Sequence, residues 1–249
     1  MVAVTRGKLR QVLLITDGCS NRGEDPAAVA SFLKEKGIVV NVIGVLDHGE
    51  REHGMREVKE IALCGGGVSQ VVYTSQLSQT VQMVTRQAMT QTLHGVVQQE
   101  LRGILGEEKE MEDLSPEKRG EVMEVVDELG ETVGLEVFIL VDTSASMKTK
   151  LPMVEEALTD LSVSLNSRQG ENEFALFLFP GKRKDVEKVL DWSPKIEQLS
   201  TAFQRLTTGG VTPTGPALKE ALHHFEKRMK KGSLIADAED DFPIEKSGF

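Results

Sequence analysis

Hydrophobic and polar positions along this chain alternate between blocks of two different periods. Val12-Leu-Leu-Ile15, Ile38-Val-Val-Asn-Val-Ile-Gly-Val45 and Val137-Phe-Ile-Leu-Val141 are apolar runs rich in β-branched residues. Runs of this kind mark strands covered on both faces, as parallel strands are. Residues 68–74 and 174–179 supply two more strands, and the mixed charged and apolar stretch 186–190 suits a sheet edge. Between these blocks the apolar residues recur at helical spacing. Val29, Ala30 and Leu33 form the inner face of a helix opened by Asp25-Pro26 and stopped by Gly37. Residues 47–53 read as a polar loop, and residues 55–63 as a short helix closed by Gly65-Gly-Gly67. Leu77, Val81, Val84 and Ala88 define a long helix, and Val154, Leu158, Leu161 and Leu165 another. Residues 196–206 are expected to be helical, and Leu218, Ala221, Leu222, Phe225 and Met229 line a last helix. Six strands alternating with helices predict an α/β fold, a doubly wound, mainly parallel six-stranded sheet flanked by helices.

Residues 98–131 break this rhythm, because charges dominate and the apolar residues fall on narrow stripes. Ser115-Pro116 opens a helix there, with Val122, Val125, Val126 and Leu129 on one face and Gly130 as its stop. The stretch reads as a helical connector. Charge narrows the partner classes: 29 Lys and Arg stand against 39 Asp and Glu, a net charge of −10. Nucleic acid is therefore not the expected partner, since phosphate binding needs a cationic face. The short basic run Lys182-Arg-Lys184 reads as a solvated turn. No apolar stretch reaches the length of a membrane span, and the N-terminus lacks the order of a secretory signal. Cys19 and Cys64 have no metal-ligand spacing and read as reduced thiols, so a cytoplasmic location is expected.

Two short stretches bring chemistry to the ends of strands. Asp142-Thr-Ser144-Ala-Ser146 follows one apolar run, and Thr16-Asp17-Gly18 follows another. In doubly wound sheets ligands sit beyond the carboxyl ends of strands, where the winding direction reverses. Ser144 and Ser146 lie two apart, so on an extended loop both hydroxyls point the same way. Thr212, in a glycine-flanked loop, adds a third hydroxyl. Such an oxygen-only set suits a hard cation, Mg²⁺ first, with Mn²⁺ or Ca²⁺ as alternatives. Gly209-Gly210 lacks the Lys-Ser/Thr that a phosphate loop requires. His48, His53, His223 and His224 read as unligated loop or helix-surface histidines, and Trp192 as a plug at the rim of the core.

Taken together, Asp-x-Ser-x-Ser after an apolar strand, Gly-Gly-x-Thr-x-Thr-Gly-x-Ala-Leu, and an apolar strand ending in Thr-Asp-Gly resemble the von Willebrand factor A domain. In that family these motifs form the metal-ion-dependent adhesion site. By motif the resemblance implies Asp142, Ser144 and Ser146 as its first element, Thr212 as its second and Asp17 as its third. It further implies direct metal contact by the serine hydroxyls and water-mediated contact by the aspartates. Thr212 would engage in one of two states, and an open position would take a partner's Asp or Glu.

The order of the motifs is swapped relative to the family, since Thr-Asp-Gly comes ahead of Asp-x-Ser-x-Ser. The resemblance therefore implies a circularly permuted domain. Residues 1–94 correspond to its second half, 95–134 to a helical connector, 135–231 to its first half, and 232–249 to an acidic tail expected to be disordered. The overall text also resembles members of the family in spore-forming, Bacillus-like bacteria.

The expected function is that of a non-enzymatic protein-interaction module, which binds an exposed Asp or Glu of a protein partner through Mg²⁺. Two alternatives stand beside it. One is a Mg²⁺-dependent phosphohydrolase with Asp142 as nucleophile, against which count Ser144, where a second acid is wanted, and the lack of a histidine base in the motifs. The other is a scaffold for a separate AAA+ ATPase. A monomer is expected, with a domain-swapped dimer as the alternative.

Overall fold

The computed structural model describes residues 8–46, 52–73, 76–105, 114–196 and 211–239. Strands β1 (Lys8–Thr16), β2 (Ile38–Leu46), β3 (Gly66–Tyr73), β4 (Gly134–Asp142), β5 (Asn172–Phe179) and β6 (Glu187–Ser193) form one sheet in the order β3-β2-β1-β4-β5-β6. The first five are parallel, and β6 runs antiparallel to β5 at one edge. The helices are α1 (Pro26–Glu35), α2 (Glu52–Cys64), α3 (Leu77–Leu105), α4 (Pro116–Thr132), α5 (Leu151–Asn166) and α6 (Thr214–Glu239). A 3₁₀ turn spans Ala145–Met147.

The continuous apolar strands are explained by two cores, one on each face. Leu13 and Ile15 of β1, Val137, Ile139 and Val141 of β4, and Leu176 of β5 face α3 and α5, with Val126 of α4 behind them. The alternate residues Val12, Leu14, Phe138, Leu140 and Phe177 face α1, α2 and α6. Period-two alternation is thus present, but both phases are apolar because both faces are covered.

The amino ends of the central strands carry a closed charge network. Glu136 of β4 is buried, and its carboxylate accepts from Arg10 Nε at 3.1 Å and Arg228 Nε at 2.6 Å, with Lys8 Nζ at 3.7 Å. Glu173 of β5 pairs with Lys8 at 3.0 Å and with Arg228. The Arg228 guanidinium also lies 4.7 Å from the centre of the Trp192 ring, which packs on Phe138 and Phe225 at the rim of the core.

Capping follows local rules at both ends of α1. The Asp25 carboxylate accepts the Ala27 N–H at 3.0 Å, and Gly37 follows α1 at φ 71°. Three helix boundaries differ from the sequence expectation, and the edge strand β6 runs on to Ser193, past the expected 190. Helix α4 runs through Gly130 to Thr132, and Val125 of the expected inner face is 48 % exposed. Distant groups set its end instead: Arg168 Nε donates to Gly130 O and Arg168 Nη2 to Val133 O, both at 2.8 Å, and the Gly170 N–H donates to Glu131 O. Helix α2 starts at Glu52, so His53 is helical rather than loop. Helix α6 continues past Gly232 to Glu239, so residues 232–239 of the expected disordered tail are helical. One glycine costs a helix only about 1 kcal/mol relative to alanine, and Leu234, Ala236 and Ala238 beyond it are good helix formers. Most of the helix expected at 196–206, residues 47–51 of the polar loop and residues 240–249 of the tail lie outside the described residues.

Candidate functional site

Chain winding reverses between the two central strands. From β1 the chain passes through α1 to β2 on one side, and from β4 through α5 to β5 on the other. Ile15 pairs with Val141, so the next step along each strand brings Thr16 beside Asp142. The Thr16 hydroxyl donates to Asp142 Oδ2 at 2.7 Å and accepts the Gly18 N–H at 3.0 Å. The Ser144 N–H donates to Asp142 Oδ1 at 2.8 Å, which folds the loop after β4 back over its own strand end. Thr143 anchors that loop to β5, through its N–H to Phe179 O at 2.7 Å and its hydroxyl to Pro180 O at 3.1 Å. The Ser144 and Ser146 hydroxyls stand 3.2 Å apart; Ser144 is buried and Ser146 exposed. Together they lead from the buried Asp142 carboxylate to the surface.

Asp17 follows β1 directly, and its side chain is 8 % exposed. Its position depends on a glycine pair. Gly18 has φ 82°, and a Cβ there would fall 2.5 Å from Gly54 Cα; a Cβ on Gly54 would fall 2.6 Å from Asp17 O. Only glycines let the first turn of α2 rest on the end of β1. Lys150, the residue before α5, places its Nζ 3.4 Å from Asp17 Oδ2.

Thr212 reaches the same corner through its backbone. Its N–H donates to Asn21 Oδ1 at 2.8 Å, and its carbonyl accepts the Asn21 N–H at 3.2 Å and the Ser20 hydroxyl at 3.3 Å. The Ser20 N–H is held in turn by the Glu57 carboxylate at 2.9 and 3.1 Å. The loop that follows Asp17 is therefore the platform on which the Thr212 loop sits. Gly209 and Gly210 lie outside the described residues.

Burial, with a smaller push from the nearby Asp17 charge, raises the Asp142 carboxyl to about 6 against the opposing hydrogen bonds from Ser144 and Thr16. Two carboxylates thus act on each other across the junction of β1 and β4. Among the described residues no group of three or more His, Cys, Asp and Glu is placed to hold a metal. The donors at this corner are carboxylates and hydroxyls, a set that fits a hard cation and gives nothing to a thiolate- or imidazole-preferring one. His224 lies against Phe177 at 4.8 Å and Phe138 at 5.6 Å and pairs with Glu220, on the rim of the core. Cys19 and Cys64 are not joined by a disulfide. Two roles at the corner are not read from the motifs: that of Thr16, itself part of Thr-Asp-Gly, as a bond donor to Asp142, and that of Lys150, outside every motif, as a partner of Asp17. The first could be read only from strand pairing, and the second resembles any loop lysine.

Models of the von Willebrand factor type A domain match two separate segments, residues 4–87 and residues 137–236. A Bacillus subtilis (strain 168) protein, "Uncharacterized protein YabS", is 65 % identical over 240 residues, covering 96 % of this chain and 98 % of that one. The chain belongs to the von Willebrand factor type A family. A crystal structure of an uncharacterized protein from Alicyclobacillus acidocaldarius subsp. acidocaldarius DSM 446 superposes on this von Willebrand A chain with a TM-score of 0.83. It is 41 % identical, and the match covers 90 % of this chain and 96 % of that one. Domains of this family generally mediate protein–protein interaction. In this von Willebrand A chain the first matched segment holds β1–β3 and the second the last two-thirds of β4 together with β5 and β6, and the β1–β4 pairing joins them in one sheet. No helix among the described residues is long and apolar enough to cross a membrane.

Proposed function

We propose that this chain captures a protein partner through a divalent cation, Mg²⁺ or, on the same oxygen set, Mn²⁺ or Ca²⁺, at the corner formed by Asp142, Ser144, Ser146, Thr212 and Asp17. The observation that carries this reading is the 2.7 Å bond from Thr16 to Asp142, which ties the end of β1, and with it Asp17, to the end of β4. A cation bound there would offer an open coordination position, and an Asp or Glu of the partner would complete it with a charge-assisted bond that needs no large apolar surface. We further propose that the domain is circularly permuted and monomeric. Residues 1–94 would supply its second half, 95–134 the connector and 135–231 the first half. The two separate family matches and the strand order support this layout.

Binding is favoured over catalysis. Asp142 is fully buried and both its oxygens accept hydrogen bonds, which leaves it poorly placed to attack a substrate. Position 144 is a serine, where aspartyl-phosphate chemistry wants a second acid. A separate AAA+ ATPase in the cytoplasm is one partner that fits the reading. In the test, immobilised chain is incubated with a cell extract in Mg²⁺ or in EDTA, and retained proteins are identified. The expected result is partner capture in Mg²⁺, loss in EDTA, and no capture by Asp142→Ala in either buffer. Capture indifferent to chelation, or kept by Asp142→Ala, rejects the proposal.

A further inference from the structure

Lys150 stands where local rules argue against it. It occupies the N-cap of α5 with no side-chain capping bond, although that position favours Ser, Thr, Asp or Asn and the positive end of the helix dipole repels a cation. It is also 0 % exposed, and lysine is almost never fully buried unless it is paired. Such a conflict between local preference and observed structure concentrates at functional sites. Its Nζ lies 3.4 Å from Asp17 Oδ2, and the neighbouring Asp142 takes its hydrogen bonds from uncharged donors, the Thr16 hydroxyl and the Ser144 N–H.

We propose that the Lys150 ammonium is a built-in counter-ion of the Asp17–Asp142 corner, for which an incoming divalent cation is the substitute, so that Lys150 sets how weakly the corner holds metal. The inference rests on the reading of this corner as a cation site. Two carboxylates without the ammonium would attract a divalent ion with twice the negative charge that remains beside it, and at a few ångströms in a partly dry corner that difference is large. The same ammonium lets the chain fold without metal, because removing one partner of a buried pair leaves an uncompensated charge. An arriving carboxylate from a partner offsets the repulsion between ammonium and ion, so ion and partner bind cooperatively.

Mn²⁺ titration followed by the EPR signal of the free ion tests this on the full chain, with wild type, Lys150→Met, Lys150→Arg, Asp142→Asn and the double variant Lys150→Met/Asp142→Asn. Lys150→Met is expected to bind Mn²⁺ about tenfold more tightly than wild type or better, and Lys150→Arg to stay within about threefold of wild type. Both chains carrying Asp142→Asn are expected not to bind. In EDTA, Lys150→Met should melt below wild type, and Mn²⁺ should close the gap. Equal or weaker Mn²⁺ binding by Lys150→Met, or equal tightening in Lys150→Arg, overturns the role of the ammonium while leaving the cation site intact. No binding by wild type or Lys150→Met, or binding that survives Asp142→Asn, overturns both. If Lys150→Met does not fold in EDTA, it and Lys150→Gln are refolded in Mn²⁺; chains that stay unfolded there overturn the idea that the ion replaces the ammonium.

Discussion

The two ends of the sheet each set a pair of carboxylates, at least one of them buried, on neighbouring strands, and they treat them in opposite ways. At the amino ends, Glu136 and Glu173 are met by Lys8, Arg10 and Arg228. Burial works against ionisation of Glu173, yet hydrogen bonds from Arg228 and Lys8 hold its carboxyl below the ordinary value. At the carboxyl ends, Asp142 is held by a hydroxyl and a backbone N–H, and burial drives its carboxyl up to about 6. The lesson is that buried acid alone does not mark a site. A network with its cations in place is a structural clasp, whereas carboxylates short of positive charge at a topological switch point leave room for a ligand to supply it.

Replacing an acid by its amide at the two ends should therefore act with opposite sign. The largest effect is expected for Glu136→Gln, which leaves Arg10 without its carboxylate and Arg228 with Glu173 alone, and should destabilise the chain by about 3 kcal/mol in urea unfolding at pH 7.5. Asp142→Asn should do the reverse in the absence of metal. The folded state holds the Asp142 proton more tightly than the unfolded chain does. The stability due to that proton is fully present below the ordinary value of 3.8 and is lost as pH rises through about 6. Metal-free Asp142→Asn should thus gain about 2 kcal/mol over wild type at pH 8 and almost nothing at pH 4. A flat difference across that range would show that burial of the charge is not what distinguishes this end. The smallest effect is expected for Ser146→Ala, whose hydroxyl is on an exposed residue: metal-free stability should change by less than about 0.5 kcal/mol. Its Mn²⁺ affinity should nonetheless fall, and the titration that leaves it unchanged would remove Ser146 from the ligand set.

Much of this architecture was legible in the residues. Continuous apolar runs such as Val137–Val141 fixed the strands, because double-sided burial leaves no polar phase, and the motif order placed Asp142 and Asp17 at strand ends. What escaped were features set by partners far along the chain. Gly130 looks like a helix stop, but the stop is made by Arg168 and Gly170, more than 30 residues away. Lys150 gives no local hint of burial; a carboxylate it reaches inside, that of Asp17, lies 133 residues earlier. Thr16 reads as the last residue of a strand, and only the pairing with β4 turns its hydroxyl toward Asp142. Local pattern reports what a residue prefers, and at this corner preference is overruled by charge.

The central place of β1 has a consequence for synthesis. Its hydrogen-bonding partner on one flank, β4, lies 126 residues further on, measured from Thr16 to Asp142, and the loop that seats on Asn21 lies 191 residues further on. A nascent chain leaving the ribosome therefore carries an apolar strand with an unpaired flank until more than half of the protein has been made, a state open to mispairing. The corner itself assembles only when Thr212 has emerged, so a product cut short before that point can form part of the sheet but lacks one of the groups proposed to grip the ion.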